Sequence, residues 1–270
     1  MHAATKFDLR TMVENFLNDL AIPSLVTWLM TKINNFIKST IRRTGFELKR
    51  LSPGSNSTLQ LFKALKRFEI DMVLDVGANV GQFAMELRSF GYQGNIVSFE
   101  PLSIAHRLLL SAASRDARWE VHPRCAIGVQ DGEAEINVSE NSVSSSLLPM
   151  LASHSSAATD SAYIGTERTP IYKLDSVAPA YLVNVNHPFL KIDTQGFEWG
   201  VLDGALETLP IMRGILCELS LVSLYEGQHL WHELIDRIDS LGFTLWAIQP
   251  GFVDARDGRT LQFDAIFFRL

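Results

Sequence analysis

A glycine-rich bend with an acid on either side is the part of the sequence best suited to chemistry. Asp75 is followed by Gly77, Asn79 and Gly81 at alternate positions, and Glu100 comes about twenty residues further on. Glycines at such a bend let a ligand approach the backbone closely, and asparagine tolerates the same strained conformation better than most residues. An acid at the end of the second strand is placed to bind the two hydroxyls of a ribose. The pattern predicts a nucleoside-binding site.

The class of nucleoside follows from the residues that replace the usual glycines. A dinucleotide site favours Gly-x-Gly-x-x-Gly, but here Asp75 precedes the bend and Asn79 takes the place of the second glycine. A carboxylate at this position repels phosphate and suits an ammonium group. S-adenosylmethionine carries an ammonium group, a sulfonium and a ribose but no phosphate, so the bend, which includes Ala78, predicts this cofactor. A nicotinamide-dependent oxidoreductase and a glycine turn without a ligand are the alternatives.

Two further acids end apolar runs and are candidates for catalysis. Asp193 is the candidate base for a hydroxyl proton; alternatively, it binds a divalent metal such as Mg²⁺ together with Glu218. Lys191 stands two positions before Asp193 in a predicted strand, so both side chains lie on one face. The Lys191–Asp193 pair is either catalytic or a structural ion pair. Glu198 is either part of the same site or an early-helix acid that accepts hydrogen bonds from backbone amides.

Histidine offers a rival base, and two apolar residues complete the predicted cofactor site. His229 and His232 lie one helical turn apart, a spacing that is also typical of a partly exposed helix face. His229 is the one closer to the loop after the Glu218 strand. Ala126 and Ile127 follow the third predicted strand and are expected to flank the adenine.

These residues must be positioned by alternating strands and helices, which predict an α/β fold with a doubly wound, mainly parallel sheet. Strands are predicted at 72–76, 95–99, 119–123, 134–138, 189–193, 215–217 and 243–248, and helices at 58–68, 82–90, 103–114 and 229–241. Residues 263–268 are expected to form an antiparallel strand at the edge of the sheet. Residues 139–169 sustain no period and are predicted to form an irregular lid over the ligand.

Composition and charge narrow the function classes. The chain has 270 residues, 47% hydrophobic and 20% charged, which suits one α/β domain with an appendage. Its net charge of −6 argues against a general nucleic-acid binder. Cys125 and Cys217 lie in apolar runs and predict buried thiols in a reducing cytoplasm. We expect no secretory signal and no membrane span, since no apolar run reaches about 18 residues.

The N-terminal part of the sequence differs from the rest. Residues 1–50 are predicted to form a helical extension in which two helical patterns meet near Pro23, and residues 52–57 a linker to a domain at 58–270. In the second pattern, lysines and arginines are interspersed among apolar residues at helical spacing. The helix either packs on the main domain or on a second subunit, as in a dimer, or residues 24–50 rest on the anionic inner face of a membrane. The sequence leaves the oligomeric state open.

Several short motifs in a fixed order carry a family resemblance. They are Asp75-Val-Gly-Ala-Asn-Val-Gly81, Phe99-Glu100-Pro101, Ser145-Ser146-Leu147, Leu174-Asp175-Ser176 and Lys191-Ile-Asp-Thr-Gln-Gly-Phe-Glu198. In this combination the chain resembles the FkbM family of S-adenosylmethionine-dependent O-methyltransferases from about residue 58 to the C-terminus. The resemblance leaves residues 1–50 unexplained.

The resemblance implies a Rossmann-like sheet of about seven strands with the last strand antiparallel. It also implies methyl transfer from S-adenosylmethionine to a hydroxyl. The residues of these motifs are most similar to those of actinobacterial members that methylate sugar hydroxyls, of the rhamnose or fucose type, on cell-surface glycolipids. Two alternatives are an O-methyltransferase acting on a polyketide, macrolide-type or other small-molecule hydroxyl, and a non-catalytic membrane-associated scaffold that keeps the cofactor fold.

Overall fold

The computed structural model describes residues 23–270 of the chain, and the side chains from residue 27 onward. The chain divides into two units, one through Leu51 and one from Ser52 to Leu270. In the first unit, helix α1 spans Pro23–Arg42. The helical pattern predicted before Pro23 lies outside the described residues. Within the described part of the chain, none of the helices combines the length and the apolar character needed to cross a bilayer.

The second unit is built on a seven-stranded sheet. Its strands are β1 (Met72–Val76), β2 (Asn95–Phe99), β3 (Trp119–Val121), β7 (Pro188–Ile192), β8 (Gly214–Ser220), β9 (Thr244–Pro250) and β10 (Gln262–Phe268). Their order in the sheet is β3-β2-β1-β7-β8-β10-β9, and β10 is antiparallel to both of its neighbours. The predicted doubly wound sheet with an antiparallel last strand is confirmed.

The position predicted for the last strand is wrong. Residues 262–268 do not lie at the sheet edge but between β8 and β9, so β9 is the edge strand. The burial of the strands explains the order, because Ala265, Ile266 and Phe267 are fully buried whereas Ile248 in β9 is exposed. A strand with both faces covered belongs in the interior of a sheet.

Helices cover both faces of the sheet. The helices of this unit are α2 (Ser57–Arg67), α3 (Gln82–Ser89), α4 (Ser103–Ala113), α5 (Ala152–Ala157), α6 (Leu174–Val177), α7 (Glu198–Asp203) and α8 (Trp231–Ser240). Successive β1 residues alternate between two cores: Leu74 packs with residues of α7 and α8, and Val73 with residues of α2, α3 and α4. All five β1 residues are therefore buried, and all of them except Asp75 are apolar.

The segment predicted to be an irregular lid, residues 139–169, is irregular at 140–151 and 158–162 but contains a helix and most of a strand, which corrects the prediction in part. A second sheet of three strands, in the order β4-β6-β5, consists of β4 (Ala126–Ile127), β5 (Gly132–Ser139) and β6 (Tyr163–Tyr172). Helix α5 lies between β5 and β6. Most β6 residues are not buried, so the strand shows no apolar period in the sequence. Antiparallel hydrogen bonding to β5 holds it instead.

Candidate functional site

A cavity of about 470 Å³ lies where β1, β2 and β7 end. Its walls come from the bend after β1, the turn after β2, the end of β7 and the segment between β5 and β6. They include Gly77, Ala78, Asn79, Glu100, Ala126, Ile127, Ser142, Ser144, His154, Lys191, Asp193, Gln195, Glu218, Phe252 and Gln262. The strand order reverses between β1 and β7, and open α/β sheets bind ligands at such a reversal.

The glycine bend has the left-handed backbone that its residue types predict. Gly77 has φ +78° and Asn79 φ +47°. A Cβ on Gly77 would overlap the carbonyl oxygen of Asp193, so glycine is needed where the β1 and β7 ends meet. Gly81, at φ +90°, does not line the cavity; a Cβ there would lie 2.7 Å from the Trp119 ring. Gly81 therefore serves packing within the domain.

Asp75 and Lys191 form a buried ion pair beneath the cavity. Asp75 is fully buried and does not line the cavity; its Oδ1 lies 3.1 Å from Lys191 Nζ, and its Oδ2 accepts a 3.1 Å hydrogen bond from Ser98 Oγ. Lys191 Nζ also donates to the Gly77 carbonyl at 2.9 Å. Burial acts to lower the pKa of Lys191, but the carboxylates of Asp75 and Asp193 outweigh it and raise that pKa. A lysine held protonated in this way fixes the bend and is no proton acceptor.

Glu100 offers a carboxylate to the cavity from the end of β2. Its Oε2 accepts the Asn79 amide at 2.7 Å and its Oε1 the Leu102 amide at 2.8 Å. Each carboxylate oxygen has two lone pairs, so one on each remains for a pair of ligand hydroxyls. Glu100 is only 3% exposed, and burial raises its pKa to about 7 against the lowering effect of the two amides. These features fit a ribose.

Apolar side chains form the wall beside Glu100. Cys125, Ala126 and Ile127 are buried and line the cavity at β4, as does Phe99 at the end of β2. A flat apolar base such as adenine buries its faces favourably against such a wall. Ala126 and Ile127, which were predicted to flank the adenine, thus lie on the cavity wall next to Glu100, the predicted ribose-binding residue.

Asp193 and Glu218 are brought together by a glutamine that the sequence analysis missed. Gln195 Nε2 lies 3.0 Å from Asp193 Oδ1 and 2.8 Å from Glu218 Oε2, and it donates to both. Gln262 Nε2 donates to the same oxygen of Glu218 at 2.7 Å. Asp193 Oδ2 lies 3.5 Å from Lys191 Nζ. Gln195 has a left-handed backbone, φ +55°, and its position beside Gly196 in the Lys191–Glu198 motif was the signal that the sequence offered.

The acids outnumber the cations at this end of the cavity. Burial raises the pKa of Glu218 well above its usual range, and the charges of Asp193 and Asp264 raise it further. Asp264 faces Glu218 across the β8–β10 pair, and burial raises its pKa to about 7. Lys191 is the one charged lysine or arginine among the described residues that line the cavity. Lys191 is itself paired with Asp75 and Asp193, so this end of the cavity has no free lysine or arginine among the described residues to bind a phosphate.

A bound Mg²⁺ finds no support in this arrangement. Among residues 23–270, no group of three or more His, Cys, Asp or Glu side chains is placed to hold a metal ion. The amide nitrogen of Gln195 lies between Asp193 and Glu218, within hydrogen-bonding distance of both. An amide N–H donor in this position competes with a cation for the same oxygens.

His229 and Glu198 lie outside the cavity. The His229 ring stacks on Trp199 with 3.9 Å between centroids, and its Nδ1 lies 3.1 Å from Glu233 Oε1. Helix α8 starts at Trp231, so His229 precedes the helix in which it was predicted. Glu198 Oε1 accepts the Thr194 and Gly196 amides at 3.1 and 3.0 Å, as expected for an early-helix acid. The structure does not bring His229 to the other predicted site residues.

The segment between β5 and β6 forms one wall of the cavity and contacts the glycine bend. Asn79 Nδ2 donates to Ser142 Oγ at 3.2 Å, which joins this segment to the bend after β1. Ser144 and His154 from the same segment also line the cavity. The sequence analysis missed both as site residues, because the serine-rich composition of 139–169 gave no spacing to interpret.

Comparisons with known proteins find one matching family model and a set of similar solved structures. A family model described as "Methyltransferase FkbM domain" matches residues 75–245. No curated protein matches the sequence. The chain is similar to the structure of Aeropyrum pernix fibrillarin with natively bound S-adenosyl-L-methionine, at 11% identity and TM-score 0.42 over 73% of this chain and 66% of that one. It is also similar to a candidate O-methyltransferase from Klebsiella pneumoniae, at 11% identity and TM-score 0.41 over 95% of this chain and 96% of that one. The similarity to TehB from Haemophilus influenzae has 9% identity and TM-score 0.42 over 78% of this chain and 62% of that one.

Proposed function

The chain belongs to the FkbM family of methyltransferases, and we propose that it transfers a methyl group from S-adenosylmethionine to a sugar hydroxyl, on a rhamnose- or fucose-type residue of a cell-surface glycolipid. The observation that carries the proposal is a single cavity with Glu100 at one end and the Asp193–Gln195–Glu218 network at the other. The first end suits a ribose and the second suits a hydroxyl-bearing acceptor.

Residues around the β1–β7 reversal would hold the cofactor. Glu100 would accept hydrogen bonds from the two ribose hydroxyls, and Ala126 and Ile127 would contact the adenine. The backbone at Gly77 and Asn79 would contact the methionine part, while Lys191 holds the bend from below. When bound, S-adenosylmethionine supplies an electrophilic methyl carbon on sulfur.

Asp193 is the proposed proton acceptor. The Asp193 carboxylate would take up the proton that the acceptor hydroxyl loses when its oxygen is methylated. Gln195 and Lys191 hold the two oxygens of Asp193, so the carboxylate has a fixed orientation. A fixed orientation matters because alignment of the reacting atoms alone contributes several kcal/mol, about 7 in favourable cases.

The polar end of the cavity supports a sugar as the acceptor. Glu218 and Asp193 keep lone pairs beyond those used by Gln195 and Gln262, and the neighbouring hydroxyls of a sugar can donate to them. The cavity lining offers no unpaired lysine or arginine, which disfavours acceptors with a phosphate beside the reacting hydroxyl. A macrolide-type hydroxyl requires the same chemistry with a more apolar acceptor.

Mass spectrometry of surface glycolipids from cells with and without the gene tests this function. We expect the glycolipid of the deletion strain to be lighter by one methylene, and a plasmid-borne copy to restore the mass. In parallel, S-adenosylmethionine should raise the melting temperature of the purified protein and NAD should not. An unchanged glycolipid mass together with stabilisation by S-adenosylmethionine would redirect the search to other hydroxyl acceptors. Stabilisation by NAD alone would contradict the methyl-donor site.

Helix α1 is the proposed membrane contact for a lipid-linked acceptor. Among its residues Pro23–Arg42 there is no acid, and Lys32, Lys38 and Arg42 are interspersed with apolar residues at helical spacing. Basic residues near an anionic surface each contribute about 1 kcal/mol of attraction. We propose that residues 24–50 rest on the anionic inner face of the membrane.

Liposome flotation with the full chain tests the membrane contact. We expect the protein to float with vesicles that contain about a third phosphatidylserine and not with pure phosphatidylcholine. The double substitution Lys32→Glu and Lys38→Glu should reduce binding at least about tenfold, because it replaces attraction with repulsion. Lys63→Glu and Lys66→Glu in α2 are the matched control. Equal flotation by both double variants, or none by the wild type, would end the membrane proposal.

A further inference from the structure

The side-chain amide of Gln195 has one orientation that suits its neighbours. Its Nε2 donates to Asp193 Oδ1 at 3.0 Å and to Glu218 Oε2 at 2.8 Å. An ionised carboxylate only accepts hydrogen bonds, so an amide oxygen turned toward it would meet a second acceptor. Gln195 therefore serves the Asp193 carboxylate only when Nε2 faces it, and its Oε1 must then find a donor on the opposite side.

The Tyr225 hydroxyl is the group that faces Gln195 Oε1. Its oxygen lies 2.9 Å from Gln195 Oε1 and 3.1 Å from the Ser144 carbonyl oxygen. A hydroxyl has one proton, so it donates to one of these two acceptors at a time. Burial raises the pKa of Tyr225, so the hydroxyl keeps this proton and remains a donor. The contact with Tyr225 thus favours the orientation of Gln195 that the carboxylate requires.

Tyr225 itself is held in place by its surroundings. It is fully buried, its backbone amide donates to Gln228 Oε1 at 2.7 Å, and it pairs with Met150 of the segment between β5 and β6. A Cβ on Gly196 would lie 2.9 Å from the Tyr225 ring, so the ring packs directly on the turn that carries Gln195. Close packing of this kind leaves the hydroxyl little freedom to move away from Gln195 Oε1.

We propose that Tyr225 is a positioning residue for methyl transfer: its hydroxyl orients the Gln195 amide, and this amide orients the Asp193 carboxylate. The proposal rests on the proposed function, in which Asp193 takes up the acceptor proton. Tyr225 does not line the cavity, so it acts through Gln195 and not on a reactant. Without the hydroxyl, the amide is free to rotate, and Lys191 at 3.5 Å is then the side chain that still holds Asp193.

The variant Tyr225→Phe removes the hydroxyl and keeps the ring. We expect its kcat to fall about tenfold, the effect of one lost buried hydrogen bond on the alignment of the base. Affinity for S-adenosylmethionine in calorimetry should stay within about threefold of the wild type, since Asp193 acts on the acceptor. Tyr163→Phe is the matched control, because the Tyr163 hydroxyl also bonds to a backbone carbonyl, that of Leu148 at 2.8 Å, and not to Gln195. Its kcat should equal that of the wild type.

The double variant Tyr225→Phe/Gln195→Met shows whether the effect passes through the amide. We expect Gln195→Met alone to lower kcat, and the addition of Tyr225→Phe to cause no further loss, because the two side chains act as one unit. All rates are measured as transfer of labelled methyl groups from S-adenosylmethionine to the glycolipid extract of a deletion strain. Losses that multiply in the double variant would make Tyr225 merely structural and overturn the proposal.

The orientation of the amide can also be followed without any acceptor. In the NMR spectrum, the Gln195 side-chain amide is identified by its absence from Gln195→Met. We expect its hydrogen exchange to be at least about tenfold faster in Tyr225→Phe than in the wild type or Tyr163→Phe. Unchanged exchange would overturn the contact on which the proposal depends.

Failure of the positioning role and failure of the proposed function give different results. A wild-type kcat in Tyr225→Phe, together with a slow Asp193→Asn, overturns the role of Tyr225 and leaves the base in place. A wild-type rate in Asp193→Asn overturns the base, and with it the reason for positioning that carboxylate. If the wild type methylates nothing in the extract but the exchange result is as expected, the sugar acceptor falls and the Tyr225–Gln195 contact stands.

Discussion

Replacing Asp193 with asparagine is expected to lower the rate of methyl transfer by about 10² to 10⁴, the contribution of a positioned base. The substitution keeps the size of the side chain and a hydrogen-bonding group for Gln195, but an amide does not take up the hydroxyl proton. The Asp193 carboxylate is partly exposed at the cavity, unlike Asp75, which is fully buried against Lys191. Affinity for S-adenosylmethionine should change by less than about threefold, since Asp193 acts on the acceptor.

The rate can be followed as transfer of labelled methyl groups from S-adenosylmethionine to a glycolipid extract of the deletion strain. Asp203→Asn is the matched control, because Asp203 pairs with Arg237 away from the cavity. Its rate should equal that of the wild type. A variant Asp193→Asn with most of its turnover, alongside an inactive His229→Ala, would reverse the assignment of the base.

Glu100→Ala is expected to weaken S-adenosylmethionine binding more than about tenfold, because hydrogen bonds to a carboxylate are the stronger kind. The affinity of the wild type for S-adenosylmethionine should also depend on pH. Burial raises the pKa of Glu100 to about 7, and ribose hydroxyls favour the ionised form. Affinity should therefore fall as the pH is lowered from 8 to 6, since binding must then release a proton. Glu100→Gln cannot titrate and should bind weakly with a flat profile over this range.

Isothermal calorimetry measures both effects. Glu167→Gln is the control, because Glu167 also accepts a backbone amide, that of Ser103, but does not line the cavity. This control should keep the pH dependence of the wild type. Burial also raises the pKa values of Glu198 and Asp264 to about 7, yet neither lines the cavity. Unchanged affinity in Glu100→Ala, or a pH dependence that persists in Glu100→Gln, would refute the ribose contact.

The central strands and the bend between them could be predicted because their causes are local. Strand β1 is buried throughout and apolar except at Asp75, and the left-handed backbone at Gly77 and Asn79 favours the residue types found there. The place of β10 could not be predicted in the same way. It depends on pairing with β8 and β9, which are distant in sequence. Sequence periodicity reports which residues are buried and not which strands are neighbours.

The candidate site could also be predicted only where its residues have local causes. Residues such as Glu100 and Asp193 end apolar runs, so their place at the carboxyl edge of the sheet follows from the strand alone. The roles of Asp75 and Tyr225 depend on partners in other segments: Lys191 for the first, and Gln195 and Ser144 for the second. Gln195 has the same property, because its importance comes from the two carboxylates on either side of its amide.

The close approach of Gly77 to the Asp193 carbonyl has a consequence for how the enzyme is assembled. The Asp193 amide also donates to the Val76 carbonyl at 3.2 Å, so the segments that we propose for the methyl donor and for the acceptor touch each other directly. On that proposal, the distance between the two reactants is set once, when the polypeptide folds. One extra carbon at position 77 would push the two halves apart, and a displacement of about 1 Å is enough to cost about a hundredfold in rate.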